Sequence, residues 1–331
     1  MPEAALAIVV IAVALAFDFT NGFHDTANAI ATSVSTHALS PRAAVLLSAG
    51  MNFIGAFTTL KVAATIGSGI APPKEFTLVM VFAALIGAIA WNLVTWYQGL
   101  PSSSSHALIG GLLGAAIVGI GLAGINWSEV VGKMIIPLVI SPIIGFVLAY
   151  AGMIVIYRVF QHVQPRTANR GFRWAQVVSA AFVAFSHGTN DAQKTMGLIA
   201  LTLVTARLQS SFYVPFWVIV AAATAMALGT YAGGWRIIRT VGTRLYKIDP
   251  AEGFDAQMVS AAVIQSAAQL GLPVSTTHVV TGAIFGAGST YQPGAVRWGV
   301  GLNIILAWII TIPMAALVGG IVYYLLHFLG R

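Results

Sequence analysis

Long apolar runs separated by short polar connections extend over the whole chain. The runs lie near residues 3–20, 42–66, 76–97, 106–123, 133–157, 174–204, 213–236, 254–270, 275–290 and 297–328. A helix needs about 20 apolar residues to cross a bilayer, and most of these runs approach or exceed that length. The pattern predicts an all-α integral membrane protein with about 10 membrane segments, some of them half-spanning or broken.

Two polar motifs interrupt the apolar pattern, and each of them occurs twice. NGFHDTAN (21–28) corresponds to HGTNDAQK (187–194), and GLPSSSSH (99–106) corresponds to GLPVSTTH (271–278). The first pair is offset by 166 positions and the second by 172, which indicates one duplicated unit. We expect a first repeat over 1–158, a cytoplasmic basic linker over 159–173 and a second repeat over 174–331. Because five segments per half is an odd number, the halves should form an inverted repeat.

Composition excludes a soluble globule. The 331 residues are 58% hydrophobic and 8% charged, with a mean hydropathy of +0.88, whereas soluble chains are about 25% charged. The absence of cysteine excludes disulfides, thiolate metal sites and cysteine nucleophiles. The first residues lack the basic segment of a signal peptide, so we interpret them as the first membrane helix.

The net charge of +7 would suggest nucleic-acid binding in a soluble protein, but here the basic residues fall in the connections. We therefore expect no nucleic-acid partner and use these residues to predict topology. With the N-terminus outside, the inner connections hold Arg42, Arg158, Arg166, Arg170, Arg173, Arg236, Arg239, Arg244, Lys247 and Arg297, and the outer side holds Lys74, Lys133, Arg207 and Arg331. This asymmetry predicts that both termini lie outside a multi-pass protein of the cell inner (plasma) membrane.

Asp25 and Asp191 occupy matching positions of the repeat within apolar surroundings. An ionised carboxylate in a membrane interior costs a few kcal/mol or more unless it is paired, so each aspartate needs a partner. A purely structural role, such as pairing with Lys194, remains an alternative, but a cation site at the repeat interface explains why the aspartate recurs. Asp18 has no acidic counterpart, since Ala184 stands in its place, and its role stays open between a site and a polar helix end.

Carboxamides, hydroxyls and small residues surround both aspartates. Gly22 and Gly188 are expected to let the backbone break, and a broken helix at membrane depth is tolerated where it lines a cavity or is packed in protein. The neighbouring polar side chains that could line such a cavity are Asn21, His24, Thr26, Asn28, Thr189, Asn190 and Gln193. Both motifs therefore predict a polar cavity.

The two GLP motifs are followed by runs of hydroxyls. Gly and Pro should end one segment, which places the hydroxyls in the first turn of the next helix, where backbone N–H groups are unpaired and the helix dipole is positive. Such a turn can surround a tetrahedral oxyanion such as phosphate or sulfate. The residues are Ser103, Ser104, Ser105, Ser275, Thr276 and Thr277. Ordinary helix capping is the alternative, although one residue per helix would suffice for it.

Histidine and lysine side chains within the motifs leave several interpretations open. His24, His106, His187 and His278 could build a metal site or a proton relay, but we favour orienting hydrogen bonds. Lys194, which corresponds to Asn28, could face an anion or pair with Asp191.

The segments NGFHDTANAIAT, FSHGTNDAQKTMG, GLPVSTTH and GTYAGGWRIIRTVG resemble signature sequences of the inorganic phosphate transporter (Pit) family, short bacterial type. The resemblance implies cation-coupled symport of inorganic phosphate by an inverted-repeat carrier without a cofactor, and it is compatible with a homodimer. It places Asp25, Asn28, Asn190 and Asp191 at the coupling-ion site, with the two aspartates as ligands of Na⁺ only. It assigns phosphate binding to Thr26, Asn28, Ser103, Ser104, Ser105, Asp191, Gln193, Ser275, Thr276 and Thr277.

Three positions depart from the family pattern. His24 stands where some members have asparagine, and Asn52 and Gln257 stand where many have glutamate. Losing two ionisable groups leaves Asp25 and Asp191 as the main carriers of Na⁺ or H⁺, so the coupling ion and its stoichiometry are open.

Other functions fit the residues less well. A passive anion channel would not need paired buried aspartates, and an intramembrane hydrolase would need a single nucleophile rather than a duplicated site. We therefore expect no enzyme activity. A carrier of divalent metal, of a metal–phosphate complex or of sulfate remains the alternative to a phosphate symporter.

Overall fold

The computed structural model describes residues 3–244, 246–290, 294 and 296–328. The described chain is helical throughout, without strands, as the apolar pattern predicted. The α-helices are α1 Glu3–Ser35, α2 Pro41–Gly55, α3 Lys61–Ser68, α4 Leu78–Gln98, α5 Ser104–Ile120, α6 Trp127–Glu129, α7 Ile136–Phe160, α8 Pro165–Thr205, α9 Phe216–Ala232, α10 Trp235–Arg239, α11 Pro250–Gln269, α12 Thr276–Ser289 and α13 Trp298–Phe328. Two stretches are π-helical. Val130–Ile135 joins α6 to α7, and Thr240–Arg244 follows α10.

Large apolar side chains cover the outside, and most of the polar motif side chains lie inside. Val139, Ile143 and Val147 of α7 are each more than half exposed, whereas Asp25 and Asp191 are almost completely buried. This distribution is the reverse of a soluble protein and fits a molecule whose outer surface faces lipid. The structure therefore describes a multi-pass membrane protein.

Four described helical spans are long and apolar enough to cross a membrane, and a fifth results if α9 and the helix that follows it, bent by 58°, count as one. The spans are Glu3–Ser35, Leu78–Gln98, Trp127–Phe160 and Trp298–His327. The predicted run over 42–66 is divided between α2 and α3, and α8 begins at Pro165, inside the predicted linker.

The two GLP motifs fold alike. Gly99 ends α4 and Gly271 follows the end of α11, with φ of +68° and +73°, a left-handed conformation that glycine adopts without the steric cost of a Cβ. The next helix then begins with a serine cap in both motifs. Ser103 Oγ accepts a hydrogen bond from the backbone N–H of His106, and Ser275 Oγ from that of His278, both at 3.2 Å. The motifs thus stop one helix and start the next, as expected.

The expected helix breaks at Gly22 and Gly188 are wrong, because α1 and α8 are continuous through both motifs. Both glycines instead allow close helix crossings. A Cβ on Gly22 would lie 2.4 Å from the carbonyl oxygen of Met226 in α9, and a Cβ on Gly188 would lie 2.1 Å from that of Asn52 in α2. The absence of a side chain is therefore needed for packing at these positions rather than for a turn.

Helix contacts follow the same scheme in the two halves. Helix α1 packs against α9 while α8 packs against α2, and α5 packs against α13 while α12 packs against α7. Helices α1 and α8 also touch each other. This central contact brings the first polar motif of each half together.

Candidate functional site

Asp25 of α1 and Asp191 of α8 meet where the two helices touch. Together with His187, each offers one ligand atom, and these atoms all lie within 4.8 Å of one another. Both aspartates are at most 1% exposed. Two carboxylates this close and this well buried repel each other unless cations or hydrogen-bond donors compensate them.

Hydroxyls from both serine and threonine runs reach Asp25. Ser104, in the first turn of α5, donates to Oδ2 of Asp25, and its hydroxyl also lies 2.5 Å from Oδ1 of Asn21. Thr277, in the first turn of α12, donates to Oδ1 of Asp25 at 3.1 Å. The carboxylate of the first half is thus held by the N-terminal turns of two helices, one from each half.

Lys194 lies beside Asp191 and is fully buried. Its Nζ is 2.6 Å from Oδ1 of Asp191, 2.5 Å from Oγ of Ser105 and 3.3 Å from the carbonyl oxygen of Val274. An ammonium group has three N–H donors, and three oxygens surround this one. Asp191 Oδ2, in contrast, has no hydrogen-bond partner among the described residues.

His24 connects Asp25 to the turn between α4 and α5. Its Nδ1 lies 2.7 Å from Oδ1 of Asp25, and its Nε2 lies 3.1 Å from Oγ1 of Thr95 and 3.3 Å from Oγ of Ser102. Ser102 in turn donates to Thr95 at 2.8 Å. These contacts agree with the expected orienting role of a motif histidine.

His187 is held by Asn52, one of the departures from the family pattern. Its Nδ1 lies 3.0 Å from Oδ1 of Asn52, and its Nε2 lies 3.5 Å from Oδ2 of Asp191. Asn52 also donates through its amide to Thr230 at 2.8 Å. A neutral carboxamide at this position therefore orients a histidine next to the aspartate without adding a charge.

Gln257, the second departure, joins helices rather than facing the aspartates. Its amide donates to the carbonyl of Ala29 at 3.2 Å and to Ser33 Oγ at 2.8 Å, and its Oε1 accepts from Ser179 at 2.7 Å. Helices α1, α8 and α11 are tied together by these bonds.

Several other predicted site residues have different partners. Gln193 accepts from the backbone N–H of Val62 at 2.8 Å, at the start of α3, and Asn190 donates to the carbonyl of Leu272 at 3.3 Å. Ser103 and Ser275 cap their helices, and the Thr276 hydroxyl has no partner among the described residues. The side chains of Thr26 and Asn28 lie outside the described part of the structure.

The remaining two motif histidines pack against each other. The ring centroids of His106 and His278 are 4.3 Å apart, and His278 stacks on Trp308 at 3.9 Å. Both rings are buried against apolar and aromatic neighbours. This arrangement differs from the hydrogen-bonded surroundings of His24 and His187.

Asp18 is fully buried, about two turns before Asp25 on α1. The side chains of Thr195 and Asn21 lie near its carboxylate. The sequence left the role of Asp18 open, and Asp18 lies within α1 rather than at its end.

Sequence reasoning missed two residues that complete the site, and it missed the contacts of two others that it had named. Thr95 and Ser102 surround His24, Asn52 holds His187, and Asn21 contacts Ser104. Asn21 and Ser102 belong to the duplicated motifs, so the sequence contained a signal that they lie near Asp25. Thr95 comes from α4, and no pattern in the sequence relates it to the aspartates. Asn52 was noted only as a departure from the family pattern, and its contact with His187 was not predicted.

Comparisons with known proteins place the chain in a family. A profile described as the phosphate transporter family matches residues 21–319. A protein of Mycobacterium bovis named a probable low-affinity inorganic phosphate transporter is 51% identical over 328 residues, which are 98% of this chain and 78% of that protein. A protein of Bacillus subtilis with the same name is 49% identical over 325 residues, or 97% of each chain. These relatives are named as transporters, not as enzymes.

A solved structure described as "The sodium-dependent phosphate transporter" has the same fold. It superimposes with a TM-score of 0.90 at 24% sequence identity, over 98% of this chain and 99% of that one. The match of the family profile to most of the chain and the relatives near 50% identity agree with the resemblance carried by the duplicated motifs. The chain therefore belongs to the phosphate transporter family.

Proposed function

We propose that the protein imports inorganic phosphate together with a monovalent cation, Na⁺ or H⁺, by alternating access across the plasma membrane. The observation that carries this proposal is the meeting of Asp25 and Asp191 beside the hydroxyls of both serine and threonine runs. Membership of the phosphate transporter family supports phosphate as the substrate. The sodium dependence of the structural neighbour supports Na⁺ as a candidate coupling ion.

The hydroxyls give a physical basis for coupling. Ser104 and Thr277 donate to Asp25 in the described arrangement, so both hydroxyls are bonded to the carboxylate and not to phosphate. A cation bound at Asp25 neutralises the carboxylate and weakens its demand for donors. The two hydroxyls can then turn to the oxygens of phosphate, at helix N-termini that favour an anion. Cation and phosphate therefore bind cooperatively, because each lowers the cost of burying the other.

We assign the remaining residues of the two sites on the same basis. Asn28 and Asn190 supply neutral oxygens near the cation bound by Asp25 and Asp191. We propose that phosphate binds among the hydroxyls, backbone N–H groups and carboxamides of the four motifs, at Thr26, Asn28, Ser103, Ser104, Ser105, Gln193, Ser275, Thr276 and Thr277, with Asp191 next to it.

The halves act as an inverted repeat in this proposal, with both termini outside and the basic linker in the cytoplasm. The contact of α1 with α9 corresponds to that of α8 with α2, and the contact of α5 with α13 corresponds to that of α12 with α7. These matching contacts support the repeat. Rocking of one half against the other would expose the central site alternately to the two sides.

Uptake of labelled phosphate into proteoliposomes tests the proposal. The purified protein is assayed with an inward sodium gradient, an inward proton gradient or neither. We expect accumulation above equilibrium under one gradient, and loss of it in Asp25→Asn with folding retained. Glu129→Gln, which changes a partly exposed acidic residue paired with Lys133, serves as the control and should transport normally. Equal and merely equilibrating flux under all three conditions would instead indicate a passive anion channel.

A carrier of a divalent metal or a metal–phosphate complex is the second candidate. The cluster of Asp25, His187 and Asp191 could ligate a metal ion, since one atom from each lies within 4.8 Å of the others. The Lys194 ammonium 2.6 Å from Asp191 opposes a divalent ion there by charge repulsion. Removing divalent ions with a chelator separates the candidates, because a phosphate symporter keeps its uptake and a metal–phosphate carrier loses it.

A further inference from the structure

The two halves of the repeat differ at one position next to the central aspartates. Asn28 follows Asp25 by three residues, and Lys194 follows Asp191 by three residues. A neutral carboxamide in the first half is therefore replaced by an ammonium group in the second. A buried lysine is costly unless its charge is paired, so the replacement needs a specific reason.

The contacts of Lys194 resemble those of a small bound cation. The ammonium is surrounded by a carboxylate oxygen of Asp191, the hydroxyl of Ser105 and the carbonyl of Val274, at 2.5 to 3.3 Å. Carboxylate, hydroxyl and carbonyl oxygens are also the ligands that hard metal cations prefer. The lysine thus offers its charge to a set of ligands that could otherwise hold a diffusible ion.

Asp25 has no comparable partner. Its hydrogen-bond partners are the hydroxyls of Ser104 and Thr277 and the ring of His24, and no lysine or arginine pairs with it among the described residues. Asp191 is therefore compensated by the chain itself, whereas Asp25 is left to hydrogen bonds and to whatever cation enters the site.

We infer that Lys194 is a tethered cation, which occupies at Asp191 the place of one diffusible coupling ion and lowers the number of cations carried per phosphate by one. This inference rests on the proposed function, since it concerns the stoichiometry of symport. It also makes Lys194 a determinant of coupling rather than a residue needed for the fold.

The accumulation limit measures this stoichiometry. With the membrane potential clamped at zero and a tenfold inward gradient of the driving cation, each cation carried per phosphate multiplies the limiting phosphate ratio by ten. Lys194→Asn copies the first half of the repeat and leaves Asp191 uncompensated, so an additional cation should bind. We expect the limiting ratio to rise about tenfold, equivalent to about 1.4 kcal/mol per phosphate.

Two further variants make the result specific. Asp191→Asn combined with Lys194→Asn removes the carboxylate as well as the ammonium, so no extra cation binds and the limit should not rise above that of the wild type. Lys61→Asn changes an exposed lysine whose Nζ donates to the carbonyl of Gln269, and it should leave the limit unchanged. If Lys194→Asn accumulates phosphate only to the wild-type limiting ratio, at whatever rate, the inference is overturned. Lys194 would then be only structural or a phosphate ligand.

If Lys194→Asn folds but does not transport, a second measurement tests the inference. Thermal unfolding in detergent is followed while the driving cation is titrated at fixed phosphate. A tethered cation predicts a steeper rise of the melting temperature with cation concentration in the variant than in the wild type, because one more ion binds the folded state. An equal slope in both proteins would overturn the inference. If the wild type itself never accumulates phosphate, the proposed function fails and the inference fails with it, whereas an unchanged limit in an active variant refutes the inference alone.

Discussion

The crossing of α8 over α2 at Gly188 leads to a quantitative prediction for Gly188→Ala. The new Cβ would lie 2.1 Å from the carbonyl oxygen of Asn52 and 2.6 Å from its Cα, where ordinary contact requires 3.4–4 Å. Neither obstacle is a flexible side chain, so the two helices must separate by about 1.3 Å or more locally. Overpacking of this kind typically costs about 1–3 kcal/mol.

Gly171→Ala is the matched control in the same helix. Gly171 is exposed, and a Cβ there would meet nothing within 4 Å. Replacing a glycine within a helix by alanine stabilises it by about 0.5–1 kcal/mol. The two alanine variants should therefore differ by about 1.5–4 kcal/mol in the free energy of unfolding, with Gly188→Ala the less stable.

The displacement should also affect transport. Asn52 supplies the oxygen 3.0 Å from Nδ1 of His187, whose Nε2 lies 3.5 Å from Asp191. Moving the backbone of Asn52 therefore changes the surroundings of Asp191, and we expect a lower uptake rate as well as a lower melting temperature.

Thermal unfolding of the detergent-solubilised variants and phosphate uptake in proteoliposomes measure the two effects. Equal melting temperatures and equal uptake for Gly188→Ala and Gly171→Ala would refute the reasoning. Such a result would mean that α8 and α2 do not approach closely at Gly188.

Two other predictions concern Asp25 and the start of α11. Thr277→Val removes a hydroxyl that donates to Asp25 before a cation binds and that turns to phosphate afterwards. Since a hydrogen bond to a charged group contributes about 1.5–3 kcal/mol, half-maximal uptake should require roughly 10- to 100-fold more phosphate. Thr281→Val, one turn later, removes a hydroxyl without a partner among the described residues; an equal loss in this control would contradict the assignment. Burial raises the pKa of Glu252, in the first turn of α11 ahead of its apolar part, to about 7. Its folded form thus binds a proton more tightly than the unfolded chain, and the stability from this group falls as pH rises from about 5 to about 8. Glu252→Gln should flatten the melting temperature over that range, and an unchanged pH profile would show that Glu252 is not responsible.

Much of the fold class and part of the site could be predicted from the sequence. Composition alone requires a membrane protein, because 8% charged residues cannot cover a soluble surface. The two aspartates and the hydroxyl runs were found because they recur, and duplicated polar residues in apolar surroundings have few explanations besides a site.

The course of the helices through the motifs could not be predicted. A glycine permits both a break in the backbone and a close approach of another helix, and the choice depends on what packs against it. For Gly22 the neighbour is α9, and for Gly188 it is α2. Both neighbours come from the other half of the chain, so the local sequence does not contain the deciding information.

The sequence by itself determined that the protein lies in a membrane, that it contains a duplicated unit, and which chemical groups are available where α1 and α8 meet. Only the tertiary structure decided how three adjacent hydroxyls divide their roles, with Ser103 capping α5, Ser104 on Asp25 and Ser105 on Lys194. Successive residues of a helical turn point in directions about 100° apart, so neighbours in the sequence meet different partners. Which partners they meet depends on helices α1 and α8, which are distant in sequence and reach these hydroxyls only when the two halves pack together.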